Sequence, residues 1–218
     1  MRINVICGVD EAGKGAVLGP MVIAGVLVHE TEECEGLGLM DSKMLSKRRR
    51  EELFECITAD FVTAVRVIDA QDIDHLRIEL KTGMNAIVAT AHAAVIDDLD
   101  PQTAIVDACD VNARRYGETI TALLRTSCTL ISEHKADSRF PVVSAASIVA
   151  KVTRDRIIDS LSEEYGAVGS GYPSDAITID FLEAWICDNG SPPPFARRSW
   201  RTISDITARL SQSTLSDF

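Results

Sequence analysis

The sequence predicts an α/β fold in which a mixed five-stranded sheet is flanked by helices and followed by a helical C-terminal extension. Two observations carry that expectation. Apolar runs at residues 5–9, 21–28 and 61–68, the last two rich in valine and isoleucine, come early and are joined in part by short loops, the pattern of an antiparallel meander. Further along, strand-like and helix-like segments alternate, as they do where parallel strands are linked by helical crossovers.

Composition is compatible with this fold. A chain of 218 residues can bury one domain well, with room for a small appendage, and 46% hydrophobic with 25% charged residues is the balance of a soluble globular protein. The apolar stretch 17–28 is too short to span a bilayer and is interrupted by Gly19, Pro20 and Gly25. The N-terminus lacks a basic segment followed by an uninterrupted apolar core, so a cytoplasmic protein without membrane partners is expected. The six cysteines form no C-x-x-C pair, and Cys7 and Cys128 sit in apolar runs as small buried hydrophobes, which fits a reducing compartment. A net charge of −11 argues at first sight against a nucleic-acid partner. The basic residues are clustered, however, at 47–50, at Arg114 and Arg115, at 151–156, and at Arg197, Arg198 and Arg201. An acidic, lysine-poor surface reads either as adaptation to concentrated salt, where screening weakens repulsion from phosphate, or as that of an ordinary acidic protein.

The first strand runs into Asp10 and Glu11 and then into Gly13, Lys14 and Gly15. Two adjacent carboxylates repel one another unless a cation sits between them, and Mg2+ is held by a few carboxylates together with waters and phosphate oxygens. Glycines let backbone N–H groups approach something rich in oxygen. The alternative is a plain polar turn. The spacing Gly8-x4-Gly13-Lys14 imitates a nucleotide-binding loop, but Gly15 replaces the Ser or Thr that would hold the metal, and a strand rather than a helix follows.

Residues 41–46 form a polar turn opening a charged helix over 47–57; Asp41 or Ser46 serves as its cap, and Lys43 is placed to reach a phosphate. Residues 70–98 read as helix, with a first portion near Asp72 and a long alanine-rich stretch over 80–97, in which His92 is assigned to packing. A strand over 103–106 ends in Asp107, which reads as a turn residue, a helix cap or a site carboxylate, with Asp110 close behind. A helix over 114–125 and a strand over 129–131 follow. Asp137 reads as a plain loop acid, and the small residues 144–147 let a helix approach another backbone closely. Tyr172, between glycine and proline, either stacks on a sugar or base or closes a loop over the core. A helix starting near Ala176 ends before Pro192, Pro193 and Pro194, and a last helix follows Trp200.

Five segments, taken together and in order, resemble ribonuclease HII of the archaeal type: GVDEAGKGAVLGP, DSK-x-L-S, VDA-x-D-V-N, EHKAD with PVVSAASI-x-AKV-x-RD, and GSGYPSD. Lys14 stands where that family usually has arginine, and Ala16 where proline is common. The resemblance implies a ribonuclease-H-like fold with a catalytic domain over 1–190, a helical extension over 191–211 and a tail over 212–218. It implies a metal-dependent endonuclease that hydrolyses the RNA strand of RNA–DNA hybrids and cuts at single ribonucleotides in duplex DNA, giving 5′-phosphate and 3′-hydroxyl ends. Asp10, Glu11, Asp107 and Asp137 would hold two Mg2+ or Mn2+ ions, and Gly13, Lys14, Gly15, Lys43 and Tyr172 would contact substrate. The tail residues Gln212, Leu215 and Phe218 fit Q-x-x-L-x-x-F, which resembles a sliding-clamp-binding peptide. A monomer is expected. A junction resolvase of the same fold would share the carboxylates without needing the glycine loop or Tyr172, and a non-enzymatic clamp-binding protein would explain only the tail. A type HIII enzyme would need an added N-terminal domain.

Overall fold

The structure is a computed structural model and describes residues 5–39 and 45–215. The chain packs as two units, one made of Met1–Ala12, Val22–Val67 and Met84–Thr153, the other of Gly13–Met21, Ile68–Gly83 and Arg154–Phe218. Both are discontinuous in sequence.

The first unit is built on a five-stranded sheet. Its strands are β1 (Ile6–Ala12), β2 (Met21–Val28), β3 (Val62–Ile68), β4 (Thr103–Asp107) and β5 (Thr129–Glu133), in the spatial order β3-β2-β1-β4-β5. β1 runs antiparallel to β2 and parallel to β4, and β4 runs parallel to β5. Antiparallel start and parallel half are thus both present. β1, β2 and β4 are apolar almost throughout because they are covered on both faces. Val9, Ile23 and Val106 are fully buried, each worth about 1.5–3 kcal/mol relative to exposure.

Helices α1 (Lys47–Asp60), α3 (Met84–Leu99) and α4 (Ala113–Leu123) belong to this unit, as does the first part of α5 (Pro141–Tyr165). Ser46 caps α1 by accepting from the Arg49 N–H, and Asn112 caps α4 by accepting from Arg115. Two glycines fix which helix covers which face. A Cβ on Gly25 would lie 2.6 Å from Val95 and 2.7 Å from Leu99 of α3, and Gly25 pairs with Val9. A Cβ on Gly8 would lie 2.4 Å from the backbone of Val142 in α5. Successive strand residues alternate between faces, so Gly8 and Asp10 look toward α5 while Val9 and Glu11 look toward α3.

The second unit gathers the rest of α5, α6 (Ala176–Asn189) and α7 (Arg201–Leu215) around Leu18, Ile158, Leu182, Ile186 and Ile203. Tyr165, Phe181, Trp185 and Phe195 pack ring on ring, with centroids 4.8–6.3 Å apart. Asp175 caps α6 at its start, and Gly190, left-handed at φ 70°, ends it before the prolines.

One expected helix is shorter at its start. α2 (Ala70–Asp74) continues as a π turn, His75–Glu79, and the chain then leaves helical geometry until Met84. Lys81 takes the left-handed φ of 53°, and the Thr82 N–H reaches back 2.9 Å to the Leu76 carbonyl, a C-terminal cap that ends the first helix before α3 begins. Among the described residues no helix is long and apolar enough to cross a membrane. Gln212 is exposed near the end of α7 and Leu215 is its last residue, while Lys43 and Phe218 lie outside the described residues.

Candidate active site

Three adjacent parallel strands deliver the acidic residues. Asp10 lies near the C-terminal end of β1, and Asp107 is the last residue of β4. After β5 the chain turns through Lys135, left-handed at φ 56°, into a single 3-10 turn, Ala136–Ser138, that carries Asp137. One carboxylate oxygen from each of Asp10, Asp107 and Asp137 lies within 4.8 Å of the others. Asp10 and Asp137 are buried and Asp107 is half-buried.

Such a cluster is costly without a cation. Burial, then the charges of Glu11 and Asp107, push the Asp10 carboxyl well above its usual range. The Glu11 N–H, donating to Asp10 Oδ1 at 2.8 Å, works against that shift. Ser147 on α5 also favours the carboxylate, although its Oγ does not reach full hydrogen-bond geometry. Asp107 is raised as well, by burial and by Asp137 and Glu11, against an opposing bond from the Ala136 N–H at 3.2 Å. Buried carboxylates that raise one another's pKa are ligands in search of positive charge, and an all-oxygen donor set suits a hard divalent cation. The residues present therefore fit Mg2+ or Mn2+.

Glu11, expected beside the other three, stands apart. β1 continues to Ala12 and Glu11 pairs with Ile23, so its side chain leaves the opposite face from Asp10. Glu11 Oε2 lies 3.2 Å from Nε2 of His92 on α3, but off the hydrogen-bond direction, and neither atom bonds elsewhere among the described residues. The approach is an electrostatic contact rather than a formed hydrogen bond. His92 is wholly buried, edge-on to Tyr116, whose hydroxyl meets its Nδ1 at 3.3 Å. Sequence reasoning assigned His92 to packing; it packs, and it also faces Glu11. Asp110 is committed elsewhere. The Asn112 N–H, Asn85 and Arg115 all donate to it, at 2.6–3.0 Å, and hold its carboxyl down at about 2.

The second unit carries Gly13, Lys14, Gly15 and Tyr172. Gly13 is buried at φ 81°, and a Cβ there would strike Arg154 at 2.4 Å and the Pro20 carbonyl at 2.7 Å, so its glycine is required by the chain itself. Gly15 differs: it is exposed, its φ is not positive, and an added Cβ would meet nothing within 4 Å. Lys14 is half-buried. Tyr172 is half-buried too, with the Arg154 guanidinium 4.6 Å over its ring, so one face is already occupied. Its turn is held by Ser170 N–H to Asp175 at 2.6 Å, Gly171 N–H to Thr178 Oγ1 at 2.9 Å, and Arg154 to the Ser170 carbonyl at 2.9 Å.

A mixed sheet in the order β3-β2-β1-β4-β5 with carboxylates clustered at the ends of its three parallel strands is the ribonuclease-H-like architecture, the scaffold of an acidic-site nuclease. Residues 7–203 match the ribonuclease HII family. A ribonuclease HII of Methanoregula boonei is 56% identical over 98% of this chain and all of its own, and one of Methanocorpusculum labreanum is 54% identical over 98% of this chain and 99% of its own. Among solved structures, ribonuclease H2 from Pyrococcus horikoshii superposes with a TM-score of 0.88 at 38% identity, covering 95% of this chain and 99% of that one. The ribonuclease HII in a complex with PCNA from Archaeoglobus fulgidus superposes at 0.87 with 40% identity, covering 98% and 100%. The chain belongs to the ribonuclease HII family and is a ribonuclease H, an endonucleolytic hydrolase.

Proposed function

We propose that this protein hydrolyses the RNA strand of RNA–DNA hybrids and cuts at single ribonucleotides embedded in duplex DNA, leaving 5′-phosphate and 3′-hydroxyl ends. The observation that supports it most is the convergence of Asp10, Asp107 and Asp137 within 4.8 Å, with two of the three carboxyls raised by burial and by neighbouring negative charge. Those three, with Glu11 as fourth ligand, would hold two Mg2+ or Mn2+ ions, which supply Lewis acidity for activating water and for carrying charge on the departing 3′ oxygen. Asp107 is steadied for this by the Ala136 N–H, and Asp10 by the Glu11 N–H. Gly13, Lys14 and Gly15 contact the ribose and its phosphate largely through backbone, so lysine in place of arginine is tolerated. Tyr172 offers its remaining ring face to the junction between ribonucleotide and deoxyribonucleotide, and Lys43 reaches a phosphate. Incubation with a DNA duplex carrying one ribonucleotide tests the reading: a single cut that needs Mg2+ is expected. Cleavage of an all-DNA junction in its place would favour a resolvase.

Gln212, Leu215 and Phe218 form a sliding-clamp-binding tail in this reading, supported by the PCNA complex of the Archaeoglobus fulgidus relative. The enzyme is taken to be a cytoplasmic monomer with a catalytic domain over 1–190, an extension over 191–211 and the tail beyond. Removing the last seven residues, 212–218, should leave cleavage unchanged and weaken clamp association; association equal to the full chain's would refute the tail assignment.

The two loop glycines separate folding from substrate contact. Gly15→Ala is expected to melt within about 0.5 kcal/mol of the wild type, because the new methyl meets nothing in the protein. Its kcat/KM should fall by about a hundredfold, the cost of displacing a substrate by roughly 1 Å. Gly13→Ala should instead lose stability. Thermal melts with initial rates distinguish the two, and a Gly15→Ala enzyme with wild-type kcat/KM would remove that backbone from the substrate contact.

A further inference from the structure

Arg197 is fully buried, yet its hydrogen bonds go to carbonyl oxygens rather than to a carboxylate. Nη2 donates to Gly13 at 2.7 Å, Nη1 to Lys14 at 2.9 Å and Nε to Gly19 at 3.1 Å. The Trp200 ring lies 4.9 Å from the guanidinium carbon. Burial, then the charge of Arg154, pulls the Arg197 pKa down to about 9, which still leaves it a cation at neutral pH. A buried guanidinium bonded to neutral carbonyls is an expensive feature to keep for packing alone.

Its effect on the loop follows from peptide geometry. In a trans peptide the C=O and the next N–H point in opposite directions, and the chain has no cis bonds among the described residues. Because Gly13 and Lys14 turn their carbonyls toward Arg197, the N–H groups of Lys14 and Gly15 point away from it. Successive N–H groups turned the same way make an anion seat, and carbonyls bonded to a cation polarise the attached N–H groups into stronger donors. Open space over Gly15 leaves room for the anion.

We infer that Arg197 is the positioning residue of the loop 13–15: from behind, it fixes two peptide planes so that the N–H groups of Lys14 and Gly15 face a substrate phosphate oxygen. The inference rests on the reading of that loop as a substrate contact. It also accounts for arginine at this position, since a rigid planar fork holds its donors in fixed directions toward three separate carbonyls, whereas the three donors of an ammonium rotate about a single point.

The test is steady-state kinetics on duplex DNA with one embedded ribonucleotide in Mg2+, for the full chain carrying Arg197→Met, Arg197→Lys or Gly15→Ala. For Arg197→Met, KM is expected to rise by about tenfold or more with kcat within about threefold of wild type, the signature of lost binding that is shared by ground and transition states. Arg197→Lys should raise KM by a smaller factor. A purely structural role would lower the melting temperature and leave KM at the wild-type value below it, and that result overturns the inference. If Arg197→Met does not fold, Arg197→Lys carries the same test, and its wild-type KM would be equally fatal. If Gly15→Ala raises KM while the folded Arg197 variants do not, this inference fails alone. If all three keep a wild-type KM, the reading of the loop as a substrate contact fails with it.

Discussion

Asp10→Asn is expected to lower cleavage by about 10^3-fold or more, ~4 kcal/mol of barrier, while leaving the metal-free protein at least as stable as the wild type. The two halves of that result have one cause. Asparagine keeps the volume of aspartate and an oxygen to accept the Glu11 N–H, so packing and the 2.8 Å bond survive. What it removes is a negative charge from a buried place already strained by Glu11 and Asp107. Without a cation, that removal relieves repulsion. With one, it deletes a ligand that is needed for chemistry. Melts in EDTA should therefore place the variant level with or above the wild type, and added Mg2+ should raise the melting temperature of the wild type alone, because a ligand that binds only the folded state stabilises it by mass action. An Asp10→Asn enzyme within tenfold of wild-type activity would take Asp10 out of the metal site. A loss of several degrees in EDTA would mean that the carboxylate is structural instead.

How far the sequence could be read depended on the range of the interactions. All five strands were legible because each is a short run rich in apolar and β-branched residues bounded by polar punctuation, even β3, which is largely exposed, and that signal is local. Asp10 and Asp107 were legible as candidates because each stands at the end of such a run, and Asp137 through the resemblance of its segment, while the parallel half of the sheet brings all three to one edge. Glu11 was read with Asp10 as one adjacent pair, and the structure parts their side chains for a reason also local. The first strand was taken to end at Val9, whereas it continues to Ala12, and inside a ladder neighbouring side chains part to opposite faces. Alternation, applied two residues further, would have separated the pair. The break before Met84 was hidden because residues 80–83 lie in a helix-like pattern, and a cap in which Thr82 bonds Leu76 leaves no apolar signature. Arg197 was beyond reach. It looked like one more member of a basic cluster, and its partners are carbonyls 178 to 184 residues away, which carry no side-chain code.

Gly8→Ala tests the packing that holds the site in place. The small residues at 144–147 suggested a helix lying close to another backbone, and the backbone it approaches is β1. At Gly8 an added Cβ would sit 2.4 Å from the carbonyl carbon and oxygen of Val142 and 2.5 Å from the nitrogen of Val143. Real Cβ atoms do not come so near, and the obstacle is main chain at the start of α5, which cannot swing aside as a side-chain tip can. Either α5 moves off the sheet or β1 bends, and both open the layer in which Val142 and Val143 are fully buried. The expected cost is about 3 kcal/mol or more, the upper end for overpacking, or roughly 6–12 °C in melting temperature for a chain of this size. Activity should fall further than stability explains. Gly8 lies two residues from Asp10 on the same face of β1, and Ser147, which favours the Asp10 carboxylate, is carried by α5. Moving strand and helix apart therefore moves Asp10 against Asp107 and Asp137, whose oxygens must stay within a few ångströms to share cations. Cleavage measured well below the variant's melting temperature should be reduced by about a hundredfold, the scale of a 1 Å misplacement. A Gly8→Ala enzyme that melts within 1 °C of the wild type would show that the contact between β1 and α5 is looser than these distances require.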